Sequence, residues 1–185
     1  MAKQFPKLDT YLREFISRQQ MFFTGSATDT SRVNISPRST DLFRIVDDNS
    51  VLYLDRIGSG NETAAHMLAD GRMTIMFCAV DGKPMILRLY GRGQIIPRDS
   101  DEYKNYLTQL FSGSEIRGAR QIVKLNFDLV QTSCGFGVPR FDYREERDTL
   151  DHWAHGKTDE ELLDYRVRKN RLSIDGLPTA ALEES

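Results

Sequence analysis

Residues 51–80 read VLYLDRIGSGNETAAHMLADGRMTIMFCAV, and no other stretch limits the fold as much. Positions 51–57 alternate and are rich in β-formers. Gly58, Ser59 and Gly60 interrupt that strand. Asn61, Glu62 and Thr63 can open a helix that carries Ala64, Ala65, Met67 and Leu68 on its apolar side. Asp70 and Gly71 end the helix, and 73–80 is an apolar strand. A strand, a Gly-Ser-Gly turn and a helix start together outline a phosphate site. N–H groups at a helix N-terminus have no intrahelical acceptor, and the helix dipole favours an anion there.

Charge and composition narrow the ligand. The chain has 185 residues, enough for one domain over 1–185. Its net charge is −2, and Lys and Arg are scattered among acids, so nothing marks a nucleic-acid surface. The N-terminal MAKQFPKLDTYLREF lacks an apolar core of signal-peptide length, and no apolar run approaches the roughly 20 residues that span a bilayer. Cys78 and Cys134 are the only cysteines and form no CxxC pair. The expectation is a cytoplasmic protein with reduced thiols and no membrane partner.

Leu8, Tyr11, Leu12, Phe15 and Ile16 recur at helical spacing, which predicts an opening helix with Pro6 near its start. A strand is expected at 21–25, a second at 32–36 stopping at Pro37, and a third from about 43. Asp81-Gly82-Lys83-Pro84 signals a hairpin into a long strand over 85–96, where Gly91 and Gly93 suggest a bulge or bend. Positions 101–111 read as a helix, 121–130 as a half-exposed strand, and two short helices follow at 149–153 and 159–168. The tail turns at Asp175-Gly176 and is expected to fray. About six mostly antiparallel strands with glycine corners and flanking helices (an α+β chain, mainly β) argue for a small barrel over a doubly wound sheet.

The ordered set of RVNISPRS, strand-GSGNETAAH-helix, the DGKP hairpin and LRLYGRG resembles the pyridoxamine 5'-phosphate oxidase-like family of FMN-binding split β-barrels. The likeness covers roughly residues 8–130 and implies a six-stranded antiparallel split barrel. The remainder, 131–185, is a helical and loop extension, and 131–178 resembles one subgroup of that family. The resemblance implies a homodimer with FMN at the subunit interface. It also implies that Asn34, Ser36, Pro37 and Arg38 approach the flavin ring and ribityl chain, and that the segment from Arg56 to Thr63, with Ser59 and Asn61, holds the phosphate.

This chain departs from the family pattern in two places. The turn is neutral where many members carry Arg or Lys, so an arginine from elsewhere must meet the phosphate. Arg32, Arg38, Arg56 and Arg88 are the candidates, and Arg38 ranks first because Pro37 fixes the backbone beside it. The C-terminal Trp-Gly-Gly and Arg pattern of true pyridoxamine phosphate oxidases is missing: Trp153 is followed by Ala154 and His155, so vitamin B6 oxidation is not expected.

Each candidate has a plainer role. Ser59, Asn61 and Thr63 suit helix caps, and no Gly-Lys-Ser/Thr follows to make a P-loop. Arg88 fits an outward barrel position. Cys134 has no visible base beside it, and Cys78 suits a buried apolar strand. His152 and His155 lack a spaced third ligand for zinc, and His66 fits simple packing. Tyr103, Tyr106 and Phe111 suit a core or a dimer face. The expected function is FMN binding by a flavin-dependent oxidoreductase that uses a small-molecule substrate or electron donor. The alternative is a non-enzymatic carrier or sensor of flavin, deazaflavin or another planar ligand, haem included.

Overall fold

The computed structural model describes residues 2–179, so the end of the tail expected to fray lies outside the described residues. An eight-stranded antiparallel sheet dominates, with strand order β3-β2-β6-β7-β8-β5-β4 and β1 added on β8. The strands are β1 (Lys3–Phe5), β2 (Met21–Ser26), β3 (Asn34–Ser39), β4 (Phe43–Ile45), β5 (Ser50–Arg56), β6 (Arg72–Cys78), β7 (Ile86–Pro97) and β8 (Ala119–Ser133). The helices are α1 (Thr10–Ser17), α2 (Glu62–Ala69), α3 (Asp101–Leu110), α4 (Thr149–His155) and α5 (Asp159–Asn170).

The long strand β8 is the spine. One edge pairs with β7 along its whole length, while the other pairs first with β5 and then with β1. The sheet curls around this strand into an open half-barrel whose path ends at β3 and β4. Eight strands form where about six are expected. β4, only three residues long, is the strand expected from about 43. β1 is an addition ahead of the predicted opening helix, and three residues are too few to show a period.

Gly91 sits where the β7–β8 register shifts, between Tyr90 and Gly91. A Cβ there would lie 2.0 Å from the Asn126 carbonyl oxygen and 2.5 Å from Phe127 Cα. The two backbones therefore approach closely only because position 91 has no side chain. The expectation that the strand at 32–36 stops at Pro37 fails. β3 runs through Pro37 to Ser39, because β3 is an edge strand and a missing N–H on its outer side breaks no ladder bond.

The core fills the curl. Phe22 packs its ring 5.0 Å from Phe43, 5.4 Å from Tyr53 and 5.8 Å from Phe77, centroid to centroid. Helix α1, capped by the Asp9 side chain, closes one end with Leu12, Phe15 and Ile16. Leu52, Leu54, Tyr103, Phe111 and Ile122 form a second cluster beneath α3, so Tyr103 and Phe111 belong to the core. Of the residues expected on the apolar side of α2, Ala64, Ala65 and Met67 are buried but Leu68 is exposed.

Candidate functional site

Strand β5 alternates Val51, Tyr53 and Asp55 on its inward face. An acid at an inward, fully buried position needs partners. Asp55 has three. Arg38 Nη1 donates to Oδ1 at 2.6 Å, Arg120 Nε donates to Oδ2 at 2.7 Å, and Gln121 Nε2 donates to Oδ2 at 2.8 Å. Burial alone would push the Asp55 carboxyl up. The guanidiniums of Arg120 and Arg38 and the hydrogen bonds from Arg120 and Gln121 hold it below the usual carboxylate range.

Asp55 thereby fixes Arg38 on β3 against β5. Burial opposes the charge on Arg38, but Tyr53 and Asp55 more than restore it and raise its pKa. The Tyr53 hydroxyl is pushed up to about 12, chiefly by burial. The Arg38 charge and the nearby Thr63 hydroxyl pull it back only in part, and neither sits at full hydrogen-bond geometry to it.

These groups open onto a cleft of about 620 Å³ between β3, β5, the start of α2 and the segment leading into α4. Asn34, Ser36, Pro37 and Arg38 line one wall, and Arg56, Ser59, Asn61 and Thr63 another. Phe22 and Tyr53 join the core to the cleft, while Glu146, Arg147, Leu150 and Asp151 reach it from the C-terminal extension of the same chain. Arg56 Nη2 donates to Asp151 Oδ1 at 2.5 Å and ties that cover to β5. Of the candidate site residues, Arg88 does not line the cleft. It donates to Ser133 Oγ at 3.2 Å across the β7–β8 ladder, which is the outward position its alternation allowed. Arg32 pairs with Asp175 instead.

The turn itself is not capped as its residues suggest. Asn61 is the N-cap of α2, but its side chain makes no cap bond; its Oδ1 accepts from Gln121 Nε2 at 2.9 Å. Thr63 Oγ1 instead accepts from Asn34 Nδ2 at 3.3 Å. Neither Gly58 nor Gly60 has a positive φ. Among the described residues, the first loop or helix backbone bond donated after Ile57 is Ala65 N–H to the Asn61 carbonyl, at 3.3 Å. The N–H groups of the turn and the helix start are therefore available to an anion. Arg38 Nε, Arg56 Nε and Asn61 Nδ2 are buried donors with no acceptor, and the Tyr53 hydroxyl has no partner. All four side chains belong to the cleft.

Sequence reading missed Tyr53, Asp55, Arg120, Gln121 and Asn170. One signal was present: Asp55 continues the inward face of an otherwise apolar strand. Among the described residues no group of His, Cys, Asp and Glu is placed to hold a metal; His152 and His155 turn to Asp148 and to the Asp151 carbonyl of their own helix region. No helix described is long and apolar enough to cross a membrane.

A curled antiparallel sheet, open at β3 and β4 and with a polar cleft beside a β5–turn–α2 unit, defines a split-barrel protein. The sequence profile of the pyridoxamine 5'-phosphate oxidase family matches residues 8–134. The pyridoxamine 5'-phosphate oxidase family protein ustO of Aspergillus flavus is 35% identical over 190 residues, covering 94% of this chain and 76% of that protein. The chain belongs to the pyridoxamine 5'-phosphate oxidase family.

Solved structures agree on the fold alone. HupZ from Group A Streptococcus superposes with a TM-score of 0.51 at 14% identity, over 66% of this chain and 91% of that one. A Lactobacillus delbrueckii protein that carries the name of pyridoxamine 5'-phosphate oxidase gives 0.54 at 16% identity, over 68% and 94%.

Proposed function

We propose that the cleft holds FMN and that the protein is a flavin-dependent oxidoreductase acting as a homodimer. The observation that carries this reading is the set of buried donors without acceptors, Arg38 Nε, Arg56 Nε and Asn61 Nδ2, gathered on one cleft beside a helix N-terminus. A buried donor without a partner is destabilising unless a ligand supplies the acceptor. FMN has a phosphate and a ring edge rich in carbonyl and imine acceptors, so the donor chemistry fits it. Ser59, Asn61, Thr63 and the turn N–H groups would hold the phosphate, while Asn34, Ser36, Pro37 and Arg38 would face the ribityl chain and ring.

When bound, FMN would supply hydride acceptance and onward electron transfer. The chain's own residues bind and orient. Asp55 keeps the Arg38 guanidinium in place, Tyr53 holds its proton through the physiological range, and Leu150 and Asp151, which line the cleft, would shield a bound flavin from water on that side.

A carrier role is supported by the charge balance of the same cleft. Arg38 and Arg120 share Asp55, Arg56 faces Asp151, Ser59, Asn61 and Thr63 are neutral and Glu62 beside them is an acid that also lines the cleft, which favours a weaker hold on a phosphate. The visible spectrum of the purified protein with added FMN, followed by NADH or NADPH under anaerobic conditions, separates the readings. Bleaching of the bound flavin by NADH or NADPH, and its recovery when oxygen is admitted, supports an oxidoreductase; stable binding without reduction supports a carrier. A protein that leaves the FMN spectrum unshifted rejects both.

A further inference from the structure

The C-terminal extension does more than cover the cleft. Asn170, the last residue of α5, is completely buried and reaches the turn after β5. Its Nδ2 donates to the Gly58 carbonyl at 2.9 Å. Its Oδ1 accepts from Arg120 Nη1 at 2.9 Å, and the same Nη1 donates to the Gly60 carbonyl at 2.9 Å. Arg120 is anchored in turn by Asp55. The Thr179 hydroxyl donates to the Asn170 carbonyl and ties the tail to the same point.

These bonds fix the direction of two peptide planes. In a trans peptide the carbonyl of one residue and the N–H of the next point opposite ways. No cis peptide occurs among the described residues. With the Gly58 and Gly60 carbonyls held by Asn170 and Arg120, the N–H groups of Ser59 and Asn61 must point away from them. Ser59 and Asn61 both line the cleft, and Asn61 also brings the buried, unpartnered Nδ2 described above. We infer that Asn170 is a positioning residue that, through the Gly58 carbonyl and Arg120, aims the backbone donors of the turn at a phosphate ester. Asn170 lies outside the family match of 8–134, so a residue from the extension completes a turn that the family's shared region only begins. The ligand part of this inference rests on the proposed FMN reading; the geometric part does not.

The test uses the full chain and two variants, Asn170→Ala and Asn170→Asp. The aspartate keeps an acceptor for Arg120 and loses the donor to Gly58, so it separates the two bonds and guards against a misfolded alanine variant. Amide ¹⁵N order parameters in the ligand-free protein report the turn directly. In the parent chain Ser59 and Asn61 should sit near the rigid value of roughly 0.85; Ser59 should fall toward about 0.6 in both variants and Asn61 in the alanine variant alone, with β5 and β8 unchanged. FMN and riboflavin titrations then report the ligand. FMN affinity should fall about tenfold in both variants while riboflavin, which lacks the phosphate, binds as before.

A turn that stays ordered in both variants overturns the positioning role. A turn that loosens while FMN and riboflavin weaken equally overturns the phosphate role and leaves a structural one. A parent chain that binds neither flavin rejects the FMN reading, and the order parameters still decide whether Asn170 positions the turn.

Discussion

The Arg38 guanidinium lies over the face of the Tyr53 ring, its central carbon 4.6 Å from the ring centroid. This contact, with the 2.6 Å bond to Asp55, fixes a cation at the cleft without using its Nε. Arg38→Ala combined with Thr63→Ala should therefore weaken FMN binding at least about tenfold, since a charge-assisted bond contributes roughly 1.5–3 kcal/mol. Titration by quenching of flavin fluorescence measures it, and unchanged affinity would remove both residues from the site.

Tyr53 makes an opposite prediction for stability. Its buried hydroxyl lacks a partner in the ligand-free protein, so Tyr53→Phe should leave the Tm unchanged or raise it by roughly 2–4 °C. FMN affinity should fall in the same variant if the hydroxyl meets the ligand. In strong alkali the sign is also fixed. The folded phenol ionises near 12, above its ordinary 10, so the parent should lose stability as pH rises from 10 toward 12. Tyr53→Phe should lose less over that window. Thermal melts with and without FMN, and urea midpoints in alkali, would check all three outcomes.

Asp55 controls the acid limb. Its carboxyl titrates below the ordinary 3.8 in the folded chain, so its stabilising share is complete above that value and is lost as pH falls through the depressed folded pKa. Asp55→Asn should flatten the acid dependence below about pH 4. It should also destabilise the protein by about 3–5 kcal/mol at neutral pH, because the buried Arg120 and the half-buried Arg38 then lose their shared anion. Urea midpoints across pH for parent and variant read both effects; parallel curves would mean that Asp55 does not govern the acid limb.

The glycines of β7 separate backbone from side-chain crowding. Gly91→Ala drives a Cβ into the β8 backbone and should cost at least about 3 kcal/mol. Gly93→Ala crowds the sulfurs of Met67 and Met73, which can move, and meets the Lys124 carbonyl oxygen at an ordinary 3.5 Å, so its cost should stay at about 1 kcal/mol. Equal losses in denaturant melts would contradict the close approach at Gly91.

What could be read in advance follows the range of each cause. β5, β8 and the Gly91 bulge were legible because alternation and glycine chemistry act over a few residues. Pro37 misled because whether a proline ends a strand depends on that strand lying at a sheet edge, which its neighbours in sequence do not reveal. Asn34, Ser36, Pro37, Arg38 and the turn after β5 were placed by the family pattern, and they do share a cleft. The network that organises the cleft was not legible. Asp55 and Arg120 are 65 residues apart, and Asn170 and Gly58 are 112 apart. Only Asp55 betrayed itself, as an acid on an apolar face. Nothing local to Asn170 distinguishes it from an ordinary polar residue at a helix end.

The Arg56–Asp151 pair tests the cover. Arg56 Nη2 reaches Asp151 Oδ1 at 2.5 Å, and the Asp151 side chain is 42% exposed, so solvent screens the pair. Its contribution to global stability should stay within about 1 kcal/mol. Yet it is a direct link between β5 and the helix that brings Leu150 to the cleft mouth. Asp151→Asn removes the charge and keeps the shape, so the cover should open more often while the fold persists. Stopped-flow mixing with FMN should then show association and dissociation rising together by about threefold or more, with the ratio nearly constant. That factor corresponds to roughly 0.6–1 kcal/mol on the closed state. If dissociation alone rises, Asp151 or the freed Arg56 touches the ligand directly. If neither rate moves, the segment entering α4 does not gate the cleft.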